Sequence, residues 1–207
     1  LVTRQHELSA RRRAQRRDAR RRLLDAAQEL LEDRSWSEIS LEEIAATAEV
    51  ARTAFYRYFE DRQQLLNAIL DDVGLELEHV AVNWWQDSGD SITDLRRSLA
   101  GLTKIFAEHG RLLQAISDTA RYDPDMGRRY QALADRLIAA TTERIEKDIE
   151  QGASRVSEPR EVAAALIWMN ERYLLASFGR APLSDPDVVT RALAVIWVGA
   201  LYGPDVV

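Results

Sequence analysis

The stretch SLEEIAATAEVARTAFYRYFEDRQQLL, residues 40–66, restricts the fold more tightly than any other part of the chain. Ser40 stands three residues before Glu43. At that spacing a hydroxyl accepts from the third backbone N–H of a helix while the carboxylate reaches back to the cap N–H. The pair predicts a helix over about 41–47 with Leu41, Ile44 and Ala45 inward. A break falls near Ala48-Glu49-Val50, and a second short helix follows over about 52–58. Asp61 is placed to cap the next helix, which carries Leu65, Leu66, Ile69, Leu70, Val73 and Leu77. Upstream, residues 18–34 put Leu23, Leu24, Ala27, Leu30 and Leu31 on one helical face. Two short helices joined by a tight break and packed on a longer one form a helix-turn-helix, whose second helix can lie in a DNA major groove.

The remainder also reads as helix, with the turn residues QDSGDS at 86–91 as a boundary. Further helices are expected at about 92–108, 111–121, 126–151, 158–179 and 186–202. Gly110, Asp123-Pro124 and Gly152 supply interruptions, Ser157 with Pro159 and Ser184 with Pro186 supply starts, and Gly203-Pro204 supplies a stop. No strand alternation or internal repeat stands out. The fold class is therefore all-α, with nine helices. The expected domains are a basic arm at 1–17, a helix-turn-helix domain at 18–61 and a larger helical bundle at 62–207.

Charge is divided unevenly along this acidic chain of net charge −6. Residues 1–22 hold nine arginines against Glu7 and Asp18, a net of +7, which leaves −13 for the rest. A basic end on an acidic body is either a solvated tail or an arm that contacts phosphate or enters a minor groove. There is no cysteine, which excludes disulfides, thiolate metal sites and a cysteine nucleophile. The apolar runs, Val162 to Met169 and Ala192 to Val198 among them, are far short of the roughly 18 residues of a membrane span. The arginine-rich start lacks the apolar segment of a secretory signal, so the expected location is the cytoplasm. His6, His79 and His109 are scattered, with no metal-binding spacing, and no phosphate loop, dinucleotide fingerprint or nucleophile elbow occurs. No enzyme activity, cofactor or metal is expected.

The helix-turn-helix carries its own chemistry. Phe55 and Phe59, at i and i+4, can anchor the second helix to the core. Tyr56 and Tyr58 then present hydroxyls to phosphates, and Arg57 on the exposed face can reach a base edge or a phosphate. Arg52 opens the helix at its positive dipole end, and Arg62 with the first amides of the following helix can hold another phosphate. Residues 48–66, at the end of the LEEIAATA helix and beyond it, resemble the TetR family of one-component transcriptional repressors. The resemblance implies a three-helix DNA-binding head and a divergent, dimerising, ligand-binding body. It makes Ser40, Thr47, Arg52, Thr53, Tyr56, Arg57, Tyr58 and Arg62 the DNA-contacting set. The turn departs from the family pattern. Glu49 stands where glycine is common, Ala51 where serine caps the second helix, and Ala54 where a threonine is usual.

The resemblance continues in LIWMNERYLLASF (166–178) and VIWVGALYG (195–203), which are similar to the ethionamide-resistance-repressor branch of that family. It implies a homodimer built from the eighth and ninth helices and a long apolar tunnel in each body. The helix over 158–179 is apolar nearly all round, as a helix buried on more than one side must be. It can face its own core with Ile167, Asn170, Glu171 and Leu174 and a partner subunit with Trp168 and Leu175. Asn170 either closes an internal hydrogen bond or serves as a polar anchor in an apolar pocket; the resemblance favours the anchor. Trp84, Trp85, Leu102, Phe106, Tyr130, Leu137, Tyr173 and Trp197 are candidate walls. Pairs such as Glu143-Arg144 and Glu146-Lys147 read as solvated faces. The expected partners are an operator DNA duplex, an apolar small-molecule effector and a second copy of the chain. A helical ligand-binding module with weakened or lost DNA binding and an activator on the same fold are the rival readings.

Overall fold

Capping chemistry sets the element boundaries in the computed structural model, which describes residues 18–31, 34–83 and 90–203. The described residues form eight α-helices and one 3-10 turn, with no strand. Helix α1 covers 18–31, and the 3-10 turn Trp36–Glu38 follows. Next come α2 (Leu41–Thr47), α3 (Arg52–Phe55) and α4 (Arg62–Asn83). After these stand α5 (Ser91–Ala120), α6 (Pro124–Glu150), α7 (Pro159–Phe178) and α8 (Pro186–Tyr202). The basic arm at 1–17 and Trp84-Trp85 lie outside the described residues.

Asp90, Asp123 and Asp185 each accept from two backbone amides of the helix that follows, and Pro124 and Pro186 take first-turn positions where an N–H has no partner to lose. The caps differ in detail from those read off the sequence. Asp185, not Ser184, caps α8, and Glu158 precedes α7 without a side-chain cap bond.

One expected break is absent. The two helices predicted on either side of Gly110 are a single helix, α5, so the helix count falls from nine to eight. Gly110 is buried, and a Cβ placed on it would stand 2.5 Å from the Phe178 carbonyl oxygen. The glycine serves the close approach of α5 to the C-terminal end of α7. It does not end the helix.

The chain divides into two compact units, with the division after Ile69. In the first, the buried set includes Leu23, Ala27, Trp36, Ile39, Ile44, Phe55, Phe59, Leu65 and Leu66. In the second, α7 packs on α5, α6 and α8, and α5 packs on α6 and α8. Contact with three neighbouring helices explains why α7 is apolar on most sides. Arg144 and Asp148 correct the reading of this part of α6 as a solvated face. Both are buried, their side chains pair at 3.0 Å, and Arg144 also donates to Ser91 Oγ at 2.8 Å. Tyr202 Oη donates to Asp148 at 2.6 Å, so the network links the start of α5, the end of α6 and the end of α8. Burial and the Asp148 carboxylate push the Tyr202 phenol well above its ordinary value.

Candidate DNA interface and ligand cavity

The turn between α2 and α3 is built by backbone geometry. The Ser40–Glu43 capping box forms at both ends, with the Glu43 N–H donating to Ser40 Oγ at 3.2 Å and the Ser40 N–H donating to the Glu43 carboxylate at 2.8 Å. Arg34 adds an ion pair to Glu43 at 2.7 Å. These bonds, the one from Arg34 foremost, hold the Glu43 carboxyl down at about 2. At the far end the Glu49 N–H donates to the Ala46 carbonyl and the Val50 N–H to the Ala45 carbonyl, at 3.0 and 2.9 Å. This is the paired closure of a Schellman motif, and it needs a left-handed residue at the position Glu49 occupies, where φ is 53°. A glycine would meet that demand without strain.

Helix α3 is shorter than predicted. The helical residues are Arg52–Phe55, and a turn carries the chain on through Tyr58. Ala51 provides no side-chain cap. Phe55 and Phe59 are buried with ring centroids 5.7 Å apart, and the Arg20 guanidinium lies 5.6 Å from the Phe59 ring. Tyr56 rests edge-on against Phe55 and remains 52% exposed. Thr47, Arg52, Thr53 and Arg57 are exposed, and Ser40 and Tyr58 are half-buried. Arg57 makes no ion pair among the described residues, whereas Arg52 pairs with Glu42 at 3.0 Å.

Arg62 is turned another way. Its guanidinium donates to the Trp36 carbonyl at 3.0 Å and to the Ile39 carbonyl, and lies 5.0 Å from the Trp36 ring. It ties α4 to the 3-10 turn, so the structure engages this cation inside the unit instead of leaving it free for a phosphate. Spacing alone could not show that, because the carbonyls it satisfies lie more than twenty residues upstream.

The second unit contains a cavity of about 70 Å³. Leu102, Phe106, Tyr130, Leu137, Ile167, Asn170, Glu171 and Leu174 line it, all of them candidates from the sequence. Leu77, Leu113, Leu133, Ala134 and Trp168 complete the wall. The first four gave no separate signal, since a leucine or alanine on a core face looks alike whether it meets a neighbour or a void. Trp197 is buried but does not line the cavity; its indole N–H donates to Asn170 Oδ1 at 2.9 Å. Tyr173 is likewise outside the wall and exposed. Asn170 thus closes an internal bond with its oxygen, while its Nδ2 is buried with no hydrogen-bond partner among the described residues. Tyr130 Oη donates to Glu171 Oε1 at 2.7 Å, and burial with the nearby Glu171 charge raises the phenol far above its ordinary value.

Outward from the cavity, α7 and α8 expose apolar side chains. Trp168, Tyr173 and Ala176 are exposed on α7, and Val188, Val195, Ile196 and Ala200 on α8. Leu175, read as part of a partner-facing side, is buried within its own unit instead. Position 175 falls beside Leu174 on a helix packed against three neighbours, so its own core claims it.

Comparison with known proteins agrees with this anatomy. Residues 23–69 match the family described as bacterial regulatory proteins, tetR family, and residues 95–203 match the C-terminal domain of transcriptional regulator EthR. The HTH-type transcriptional regulator EthR of Mycolicibacterium smegmatis is 28% identical over 184 residues, covering 87% of this chain and 85% of that protein. The regulator of the same name from Mycobacterium tuberculosis is 29% identical over 185 residues, covering 87% and 86%. A TetR-family transcriptional regulator from Syntrophomonas wolfei shares the fold at 17% identity, with a TM-score of 0.74 over 89% of this chain and 95% of the other. The family is one of transcriptional regulators and not of enzymes. With a tetR-type helix-turn-helix at one end and an EthR-type domain over more than half its length, the chain belongs to the TetR family of transcriptional regulators.

Proposed function

We propose that the chain acts as a homodimeric repressor that binds a palindromic operator and is released by a small, largely apolar molecule. The observation that carries the reading is the split character of residues 52–59. Phe55 and Phe59 are buried, while Arg52, Thr53, Tyr56 and Arg57 stand exposed on the same short segment. Arg57, with no ion pair among the described residues, supplies a cation for a base edge or phosphate, Tyr56 and Tyr58 supply phenolic donors, and Ser40, Thr47 and Thr53 supply hydroxyls. Arg62 is assigned to holding the unit together and not to DNA. The head is taken as residues 18–61, preceded by the basic arm at 1–17, and the effector and dimer domain as 62–207.

Two heads related by a two-fold axis would meet successive major-groove faces about 34–36 Å apart. The exposed apolar residues of α7 and α8 suit an isologous interface, since Trp168, Tyr173, Val195 and Ile196 leave hydrocarbon in water in a single copy. The Asn170 Nδ2 atom offers a buried donor to an acceptor on an effector, inside an otherwise hydrocarbon wall.

The testing experiment is fluorescence anisotropy of the full chain on its own promoter DNA against a scrambled duplex, over a salt series. Specific binding that weakens steeply with salt supports the proposal, and Arg57→Ala should weaken it while leaving the fold intact. Removal of residues 1–17 should lower affinity and flatten the salt dependence, by about 0.9 in log–log slope for each phosphate no longer neutralised. The Arg52–Glu42 pair and the exposed Glu49 favour a second reading, a ligand-binding module with weakened DNA affinity. Equal, weak binding to both duplexes would decide for that alternative.

A further inference from the structure

The polar chemistry of the cavity's occupant turns on Glu171. This residue lines the cavity with Phe106, Tyr130, Ile167, Trp168 and Leu174. Tyr130 Oη and Ser117 Oγ both approach the same oxygen, Oε1, at 2.7 and 3.4 Å. No hydrogen bond reaches Oε2, and no arginine, lysine or histidine lies within ion-pair distance of Glu171, among the described residues. The neighbouring Asn170, 3% exposed, spends its Oδ1 on Trp197 and leaves its Nδ2 without a partner. Two consecutive residues of α7 that line the cavity thus carry a carboxylate oxygen with no hydrogen bond and a buried N–H with no partner, among the described residues.

Glu171 is half-buried on a wall made mostly of hydrocarbon, and for such a carboxylate a cation is a stronger partner than a neutral donor. The aromatic faces of Phe106, Tyr130 and Trp168 would add attraction for positive charge. A second carboxylate would be repelled by the first, and a neutral hydroxyl would gain only an ordinary hydrogen bond. Two donors converging on Oε1 mark Glu171 as an acceptor, so its free oxygen calls for a donor from the occupant.

We propose that the cavity selects hydrophobic amines. The hydrocarbon part fills the leucine-lined space, the protonated nitrogen lies against Glu171 Oε2, and Asn170 Nδ2 binds an acceptor oxygen where the ligand carries one. The proposal rests on the effector-cavity reading, and the test separates the two.

The experiment is isothermal titration calorimetry of the full chain at neutral pH with octylamine, 1-octanol and octanoate, which share a tail and differ in head charge. Octylamine is expected to bind about tenfold more tightly than 1-octanol, the scale of a charge-assisted hydrogen bond against a neutral one, and octanoate more weakly than either. Glu171→Gln should abolish the amine preference, so that octylamine and 1-octanol bind alike in that variant. Tyr130→Phe, which keeps the carboxylate and removes one of its donors, should retain or widen the preference; it serves as a second variant should Glu171→Gln fold poorly. Equal binding of amine and alcohol, or an amine preference that survives Glu171→Gln, would overturn the amine inference and leave the apolar effector cavity standing. Failure of all three probes to bind would overturn both.

Discussion

Glu49 carries a left-handed backbone that its side chain does not favour. A non-glycine residue there costs about 1–2 kcal/mol, partly offset by the greater entropy glycine loses on folding. Glu49→Gly is therefore expected to stabilise the protein by about 0.5–1 kcal/mol, read as a higher thermal midpoint. The same change removes an exposed negative charge from the helix-turn-helix, so DNA affinity should rise with it. Glu43 makes the opposite kind of contribution, since its bonds to Arg34 and Ser40 depend on its charge. Its folded-state value of about 2 lies below the ordinary 4.5. Between those values the unfolded chain binds the extra proton, so stability rises with pH across that window. The contribution is complete above about 4.5 and is lost as pH falls through about 2. An NMR titration of Glu43 should place its midpoint near 2, and Glu43→Gln should flatten acid unfolding in the same interval.

Two glycines show how elements use the same residue differently. Gly110 sits where α5 and α7 approach so closely that a methyl group would press on the Phe178 backbone. A backbone atom cannot swing aside as a side-chain tip can, so Gly110→Ala should cost about 1–3 kcal/mol by chemical denaturation. Gly199, in α8, has nothing within 4 Å of the place a Cβ would occupy. Gly199→Leu should thus leave the helical content of the subunit intact. If α8 forms the dimer interface, it should also shift sedimentation from dimer to monomer; an unchanged dimer would place the interface elsewhere. The exposed apolar residues on either side of Gly199 in the chain, Ile196 and Ala200, make that outcome a direct reading of the α8 surface.

At the scale of the molecule, one chain carries a tetR-type helix-turn-helix head and a body with a cavity. Coupling between such sites is typically about 1–3 kcal/mol, enough for an effector to weaken DNA binding roughly 5–150-fold. Asn170→Leu should abolish or change the ligand response while sparing DNA affinity in the absence of ligand. It also leaves the Trp197 indole N–H without its acceptor, so a loss of about 1–3 kcal/mol of stability should accompany it.

Local rules determined the helix-turn-helix from the sequence alone. The Ser40 capping box, the break at Ala48–Val50, the Asp61 cap and the Phe55–Phe59 pair all depend on atoms a few residues apart, so spacing suffices to read them. The same holds for the all-α class, because helical periodicity is a property of one segment at a time. Eight cavity residues were legible too, Ile167, Asn170, Glu171 and Leu174 from the core-facing side of α7 and Leu102, Phe106, Tyr130 and Leu137 as candidate walls. What only the tertiary structure decided depended on distant partners. Gly110 reads as a break until Phe178 is seen beside it; Arg62 reads as a free cation until the Trp36 and Ile39 carbonyls are placed. Arg144 reads as surface until Asp148, Ser91 and Tyr202 close around it. Glycine, arginine and asparagine are the residues whose roles move most in this way. The first is defined by what its missing side chain lets approach, and the other two by which acceptors and donors the fold brings within reach.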